Sequence, residues 1–127
     1  DGNGKFVLHK RSMNCRDEHG VWDCGGGALE FGEEWKDAVR REVMEEYCAE
    51  AKDVVLCGTH NVLRDNNGTP THWVMLTFAV LVDPAQVKIG EPHKMDDIGW
   101  FTLDTLPSPL HSKVQKDFDC VQAAGIL

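Results

Sequence analysis

Runs of apolar residues bounded by Gly, Pro, Asn or Asp predict five β-strands along the chain. The two longest are separated by Asp65-Asn66-Asn67-Gly68, which is typical of a hairpin turn. From Asp83 to Asp97 the chain contains Pro84, Gly90 and Pro92 and is expected to be mostly loop. The predicted strands are Lys5–Arg11, Val21–Cys24, Val54–Arg64, His72–Val82 and Ile98–Thr102.

Two segments have helical periodicity instead. From Glu33 to about Glu50 no Pro or Gly interrupts the chain, and Val39, Val43 and Tyr47 recur at every fourth position. A second helix is predicted over Leu110–Ala124, where apolar residues return at helical spacing. Because helices and strands alternate in a mixed order, the pattern predicts an α/β or α+β domain with helices on sheet faces.

The first four residues, Asp1-Gly2-Asn3-Gly4, have the composition of a hairpin turn and directly precede the first predicted strand. A hairpin turn normally follows a strand. We therefore expect a partner strand upstream of Asp1, in a segment that could also carry a targeting signal.

Composition narrows the class of protein. A length of 127 residues fits one domain, taken as residues 1–127. A hydrophobic fraction of 42% argues against disorder, and the longest apolar run, Phe78–Val82, is too short to span a membrane. The five cysteines are odd in number and form no Cys-x-x-Cys pair, which favours reduced thiols and a cytoplasmic location.

The formal net charge of −8 argues against a general nucleic-acid binder, because the protein and the phosphate backbone repel each other. A polyphosphate substrate would be repelled too, unless a cation stands between it and the protein.

Three carboxylates supply a candidate for that cation site. Glu42, Glu45 and Glu46 are spaced i, i+3, i+4 and fall on one face of the first predicted helix. Clustered carboxylate oxygens suit Mg²⁺ or Mn²⁺. Such a cluster can equally be a solvated acidic face, but the glycine segment 25–27 shortly before the helix favours a ligand site, since glycine lets the backbone approach a metal or phosphate. A pairing of Glu33 with Arg41 would tie this segment to the helix.

This segment resembles the signature of Nudix hydrolases of the MutT type. Cys48 stands where that signature ends in Gly, and Gly25 where Pro is common; neither position is a metal ligand in the family. The resemblance continues through Trp100-Phe101 and Leu106-Pro107. The residues that match the signature in register are Gly27, Glu33, Arg41, Glu42, Val43, Glu45 and Glu46.

The resemblance implies a Nudix-type α/β/α sandwich with a mixed sheet, whose first strand would be the one expected before Asp1. It also implies metal-dependent hydrolysis of a nucleoside diphosphate linked to another group. Glu42, Glu45 and Glu46 are then the catalytic residues and metal ligands, with the carbonyl of Gly26 as a further ligand. Glu33 and Arg41 become structural supports.

The general base stays open between Glu42 and an acid of the later segment, where Glu91, Asp96 and Asp97 are available. Arg11 is a candidate phosphate contact. The wall that faces the substrate is expected in Glu91–Phe101, with Glu91 and Trp100 as binding residues. Trp73 is a second candidate for stacking on a base, whereas Phe78 is expected in the core.

The favoured hypothesis is a Mg²⁺-dependent enzyme that converts a nucleoside triphosphate to a monophosphate and pyrophosphate. The segments Leu29–Glu33 and Glu91–Lys94 look most like that branch of the family. The alternatives are an ADP-ribose or nucleotide-sugar pyrophosphatase and a non-catalytic nucleotide-binding module. The expected partner is a small nucleotide rather than nucleic acid or membrane, and the protein is expected to be a monomer or a homodimer.

Overall fold

Two separate antiparallel sheets form the framework in the computed structural model, which describes residues 1–127. The first sheet has the order β2-β1-β5, with β1 at Phe6–Arg11, β2 at Trp22–Asp23 and β5 at Met95–Phe101. The second is a long hairpin of β3, Asp53–Asn66, and β4, Thr69–Leu81. The predicted turn is confirmed, since Asn67 and Gly68 both adopt positive φ angles (53° and 84°), as a tight hairpin requires.

Two helices complete the fold: α1 at Trp35–Tyr47 and α2 at Val114–Ala123. The α/β class is therefore confirmed. Every pairing between the five strands is antiparallel. The parallel component of the expected mixed sheet is reduced to one isolated bridge between Trp22 and Leu110. Neither helix has the length and apolar character needed to traverse a lipid bilayer.

The centre of the core lies between α2 and one face of the first sheet. Leu8 of β1 and Val114 of α2 are fully buried, and the ring of Phe118 packs on that of Phe6 with centroids 4.5 Å apart. Phe101 of β5 joins this face. Burial of these side chains fixes α2 near the short strand β2. The glycine segment 25–27 follows shortly after that strand.

Helix α1 is shorter than the predicted range from Glu33 to about Glu50. Glu34 is still extended (φ −68°, ψ 138°), so the helix begins at Trp35, whose ring stacks on Phe78 at 5.1 Å. It ends at Tyr47 because Cys48 is left-handed, with φ 56°. The absence of Gly and Pro predicts a helix to about Glu50, and this C-terminal boundary is wrong.

Other boundaries differ from the predictions as well; strand β4, for example, begins at Thr69 rather than His72. Helix α2 begins at Val114 rather than Leu110, because residues 109–111 run beside β2, with hydrogen bonds from Trp22 N to Pro109 O (2.9 Å) and from His111 N to Trp22 O (2.8 Å). Strand β5 begins at Met95 rather than Ile98, because Met95 already pairs with Arg11 of β1.

Candidate active site

Arg41 organises the exposed part of the acidic face of α1. Its guanidinium forms a two-pronged pair with Glu33, with Nε donating to Oε2 at 2.8 Å and Nη2 donating to Oε1 at 2.9 Å. Nη1 donates to Glu42 Oε1 at 2.8 Å and to Glu45 Oε2 at 3.4 Å. The hydrogen bonds between Arg41 and Glu33 lower the pKa of Glu33 and raise the pKa of Arg41. One guanidinium thus links the segment before α1 to two of the three predicted ligands.

Glu46 is the buried member of the three glutamates. Gly26 N donates to its Oε2 at 3.1 Å, and a Cβ on Gly25 would overlap the same oxygen. Glycine at position 25 is therefore what allows the carboxylate to lie there. Burial, followed by the charges of Asp23 and Glu42, raises the pKa of Glu46 to about 8.

Glu42 lies against the next glycine in the same way. A Cβ on Gly27 would overlap its carboxylate group. Glu42 and Glu46 are one helical turn apart, so two successive turns of α1 each place a carboxylate in contact with the glycine segment. Carboxylate oxygens beside unobstructed backbone form the donor set that suits a hard divalent cation.

The third glutamate, Glu45, has a half-exposed side chain. No three Asp, Glu, His or Cys side chains converge closely enough to hold a metal ion by themselves. A divalent ion at this face would therefore depend on waters and substrate phosphates to complete its shell, as is common for Mg²⁺ held by one or two carboxylates. Glu42 and Glu46 fit that role better than Glu45.

A buried ionic cluster lies behind the glycine segment, and the sequence analysis did not identify it. Lys113 Nζ is 3.0 Å from Asp23 Oδ1 and 3.0 Å from Asp117 Oδ2. Asp117 Oδ1 also accepts hydrogen bonds from Thr77 Oγ1 at 2.7 Å and from His60 Nε2 at 2.9 Å. Burial alone would raise the pKa of Asp23, but the ammonium of Lys113 outweighs it and holds that pKa below its usual range.

The only sequence sign of this cluster is the i, i+4 spacing of Lys113 and Asp117, which is common for exposed pairs on helices. His60, to which the sequence assigned no role, is the partner of Asp117 on β3. His9 makes a similar internal contact, with its Nδ1 2.8 Å from the hydroxyl of Tyr47. Burial lowers the pKa of His9 to about 4, so this ring is neutral at physiological pH.

A polar cleft of about 370 Å³ opens beside Glu46 and the glycine segment. Its wall brings together positive side chains from four separate parts of the sequence, and it also contains the carboxylates of Asp17, Asp23 and Glu46. Trp73 of β4 also lines the cleft, with the guanidinium of Arg16 5.5 Å from its ring centroid. The positive residues of the wall are Arg11, Arg16, Arg64, Lys94 and Lys113.

Comparison with known proteins decides the family. Residues 1–122 match the family model described as the NUDIX domain. The chain belongs to the NUDIX family. The resemblance drawn from residues 27–46 is therefore confirmed, and the protein is a Nudix hydrolase.

Solved structures agree with this assignment. A MutT NUDIX hydrolase from Burkholderia pseudomallei is 29% identical to this chain, with a TM-score of 0.81 and coverage of 94% of this chain and 89% of the other. A NUDIX hydrolase from Nitrosomonas europaea is 24% identical, with a TM-score of 0.72 and coverage of 95% and 82%. The NUDIX domain of Shewanella oneidensis NrtR, crystallised with ADP ribose, is 20% identical, with a TM-score of 0.64 and coverage of 93% and 75%. The last two share the fold, and together these likenesses confirm the Nudix α/β/α class.

The three residues predicted to bind the substrate of this Nudix hydrolase, Arg11, Glu91 and Trp100, lie in different surroundings. The donors of Arg11 are directed at protein acceptors: Glu18 O at 3.1 Å, Asp17 O at 3.0 Å and Asp23 Oδ2 at 3.3 Å. Arg11 thus fixes the loop after β1, and its contact with phosphate stays a prediction. Glu91 lies near Glu46, since its charge is among those that raise the pKa of Glu46.

Trp100 and Phe101 point to opposite faces of β5. Phe101 packs in the core against Trp22, with ring centroids 5.3 Å apart. Trp100 pairs across the strands with Val7 and lines a larger, mainly apolar cavity of about 740 Å³ that also reaches the glycine segment. Trp73 lines both this cavity and the polar cleft. Asp96 and Asp97 belong to β5 rather than to a loop.

Proposed function

We propose that this Nudix hydrolase is a Mg²⁺-dependent pyrophosphohydrolase that converts a nucleoside triphosphate to the monophosphate and pyrophosphate. The observation that carries the proposal is the contact of the Glu46 and Glu42 carboxylates with Gly25 and Gly27, where a Cβ would overlap each carboxylate. This contact lies at the edge of a cleft lined by five positive side chains. A site for cations and a site for anions are thus adjacent.

The electrostatics of Glu46 favour a cation at this position. Its carboxylate is buried and has no positively charged partner within salt-bridge distance, which is why its pKa rises to about 8. A divalent ion held by Glu46, Glu42 and the Gly26 carbonyl would remove that penalty, and Mn²⁺ fits the same oxygen donors. When bound, the ion supplies neutralisation of phosphate charge and a lowered pKa for a coordinated water.

The chain's own residues then position the reactants and move a proton. Glu42 accepts a hydrogen bond from Arg41 at 2.8 Å, so its carboxylate is held in one orientation at the edge of the site. It is the favoured base for the proton of the attacking water. Glu91 is the alternative, because it directly follows Gly90, whose N donates to Glu46 O at 2.9 Å at the end of α1.

The cleft supports a nucleotide as the other half of the reaction. Arg16, Arg64 and Lys94 come from three different segments and surround a volume at the lower end of the range for small-ligand pockets. Arg64 pairs with Asp17 and Glu18, and Lys94 lies 3.7 Å from Glu91, whereas Arg16 has no carboxylate partner. Arg16 is therefore the first candidate to compensate the phosphates, and Trp73 offers a flat surface for the base or sugar. The cleft is open to solvent, and we expect the reaction to need no second protein.

The test is a panel of substrates incubated with the purified protein and Mg²⁺. The panel holds four nucleoside triphosphates, ADP-ribose and a nucleotide sugar, and its products are separated by ion-exchange chromatography. We expect a triphosphate to give a monophosphate and pyrophosphate, with no turnover in EDTA.

Each other result rejects a defined part of the proposal. Release of AMP and ribose phosphate from ADP-ribose, with the triphosphates untouched, would favour the diphosphate-sugar alternative. Binding without turnover of any compound would favour the non-catalytic module.

A further inference from the structure

Lys113 is a buried lysine on the far side of the glycine segment from α1. Its Nζ donates to the carbonyl oxygen of Gly25 at 3.0 Å and to Cys24 Sγ at 3.2 Å. The same nitrogen is 3.0 Å from carboxylate oxygens of Asp23 and Asp117. The residue is 7% exposed. Apart from Asp117, the partners of the ammonium are Asp23, Cys24 and Gly25, the three residues that precede Gly26.

The charges around Lys113 keep it ionised and in place. Burial alone would lower its pKa, but the carboxylates of Asp23 and Asp117 favour the charged ammonium and leave that pKa raised. The Cys24 thiol is neutral, because burial raises its pKa. Asp117 is itself held by Thr77 on β4 and by His60 on β3. The ammonium is therefore directed at Gly25 by a fixed partner behind it rather than by a flexible surface pair.

The glycine segment is fixed at successive peptide groups. Tyr47 OH donates to Cys24 O at 2.9 Å, and Gly25 N donates to Asp23 Oδ1 at 3.2 Å. Lys113 Nζ donates to Gly25 O at 3.0 Å. The nitrogen of the same peptide group, Gly26 N, donates to Glu46. The Gly25–Gly26 peptide is thus held on its oxygen by Lys113, the N-cap residue of α2, and on its nitrogen by α1. This fixes the start of Gly26, from which the direction of the Gly26 carbonyl follows through the φ and ψ angles of that one residue.

We propose that Lys113 is a positioning residue for the metal site: by holding Gly25 O, it directs the Gly26 carbonyl toward the cation that Glu42 and Glu46 bind. This inference rests on the proposed function. Lys113 lies outside the signature segment, on a helix that provides none of the predicted ligands. Removal of such an outer partner commonly weakens metal affinity or activity about 10–100-fold.

The test compares Mn²⁺ binding, measured by the loss of free Mn²⁺ signal in electron paramagnetic resonance, among the wild type, K113M and K116M. K116M is the matched control, because it makes the same substitution at an exposed lysine of α2, whose Nζ donates to Asn61 O at 3.0 Å, away from the glycine segment. We expect K113M to bind Mn²⁺ about tenfold more weakly or worse and to lose kcat. K116M should keep wild-type Mn²⁺ affinity.

A purely structural lysine would give a different pattern. Wild-type Mn²⁺ affinity in folded K113M, or an equal loss of affinity in K113M and K116M, would overturn the inference. Failure of the wild type itself to bind Mn²⁺ would overturn the proposed function as well, so the two failures are distinguishable.

K113M leaves two buried carboxylates without their shared cation, which can prevent folding. In that event K113M/D117N takes its place, since it removes the buried pair as a unit. The double variant is expected to fold with the same loss of Mn²⁺ affinity. Affinity equal to the wild type would overturn the inference here too.

Discussion

Arg41 and Glu33 form a two-pronged ion pair, with nitrogen–oxygen distances of 2.8 and 2.9 Å, across the junction between the glycine-containing segment and α1. Paired hydrogen bonds of this kind fix orientation as well as distance. The same guanidinium also contacts Glu42 at 2.8 Å. The position of this predicted metal ligand therefore depends on the Arg41–Glu33 pair.

Glu33→Gln is expected to lower kcat about tenfold, the smaller end of the range for groups that orient ligands. The amide keeps an acceptor for Arg41 but loses the charge and the second acceptor. Steady-state kinetics and a melting curve measure the effect. Glu30→Gln is the control, because Glu30 is exposed and its Oε1 makes no more than a long contact of 3.9 Å with Arg41 Nη1. Equal kinetics in the two variants would contradict a role for the pair.

Cys48→Gly is expected to stabilise the protein by about 1 kcal/mol, because the left-handed conformation is unfavourable for residues with a Cβ. Cys48 has φ 56° and ends α1, with its N–H bonded to Met44 O at 3.0 Å. Urea unfolding measures the change. Cys48→Ala keeps the Cβ and should show no gain. Activity should be unchanged in both, and a C48G variant no more stable than C48A would refute the explanation.

His9 is expected to make stability depend on pH. Its pKa is lowered to about 4 by burial, from an ordinary value near 6.5. The unfolded chain therefore binds a proton before the folded one does. Its contribution is fully present above about pH 6.5 and is lost as the pH falls toward 4.

Urea unfolding of the metal-free protein between pH 4 and 7 measures this contribution as the difference between wild type and His9→Asn. The difference is needed because Glu46, whose pKa is raised to about 8, contributes with the opposite sign: its stabilisation is lost as the pH rises through that value. His72→Asn, at an exposed site, is the control. Parallel pH curves for wild type and H9N would contradict the prediction.

Structural features could be predicted from the sequence when their signal lay in residues close together along the chain. Apolar periodicity and turn residues located both helices, the five strands and the hairpin turn at Asn67. Spacing alone put Glu42 and Glu46 on one face of α1. The helix range to about Glu50 was wrong, because periodicity and the absence of Gly and Pro give no sign of the earlier end. Only the resemblance gave one, since its signature has Gly where Cys48 stands.

The cluster around Lys113 depends on long-range packing. Asp23, Thr77 and Asp117 are far apart in the chain and meet only because α2 lies across both sheets. A lysine and an aspartate four residues apart predict an exposed pair equally well. Burial, which gives this pair its role, is a property of the folded chain.

Trp73→Ala is expected to raise KM about tenfold, the scale of one lost stacking contact, with kcat less affected. Trp73 lines the polar cleft and has Arg16 over its ring. Trp100→Ala tests the sequence-based expectation for the other tryptophan. A rise in KM for W100A alone, at an unchanged melting temperature, would place the base in the larger cavity and contradict the assignment to Trp73.

The central claim is that Glu42 and Glu46 of α1, together with the glycine segment, form a cation site that drives hydrolysis. Turnover of Glu46→Gln at saturating Mg²⁺ tests it most directly, with Glu50→Gln, an exposed position after the same helix, as the control. We expect E46Q to lose about a hundredfold or more in kcat, as is typical when a group that stabilises transition-state charge is removed. Its metal-free fold should be as stable as the wild type or more so at neutral pH, because the amide avoids the cost of protonating the Glu46 carboxylate on burial. Near-wild-type turnover of folded E46Q would contradict the account.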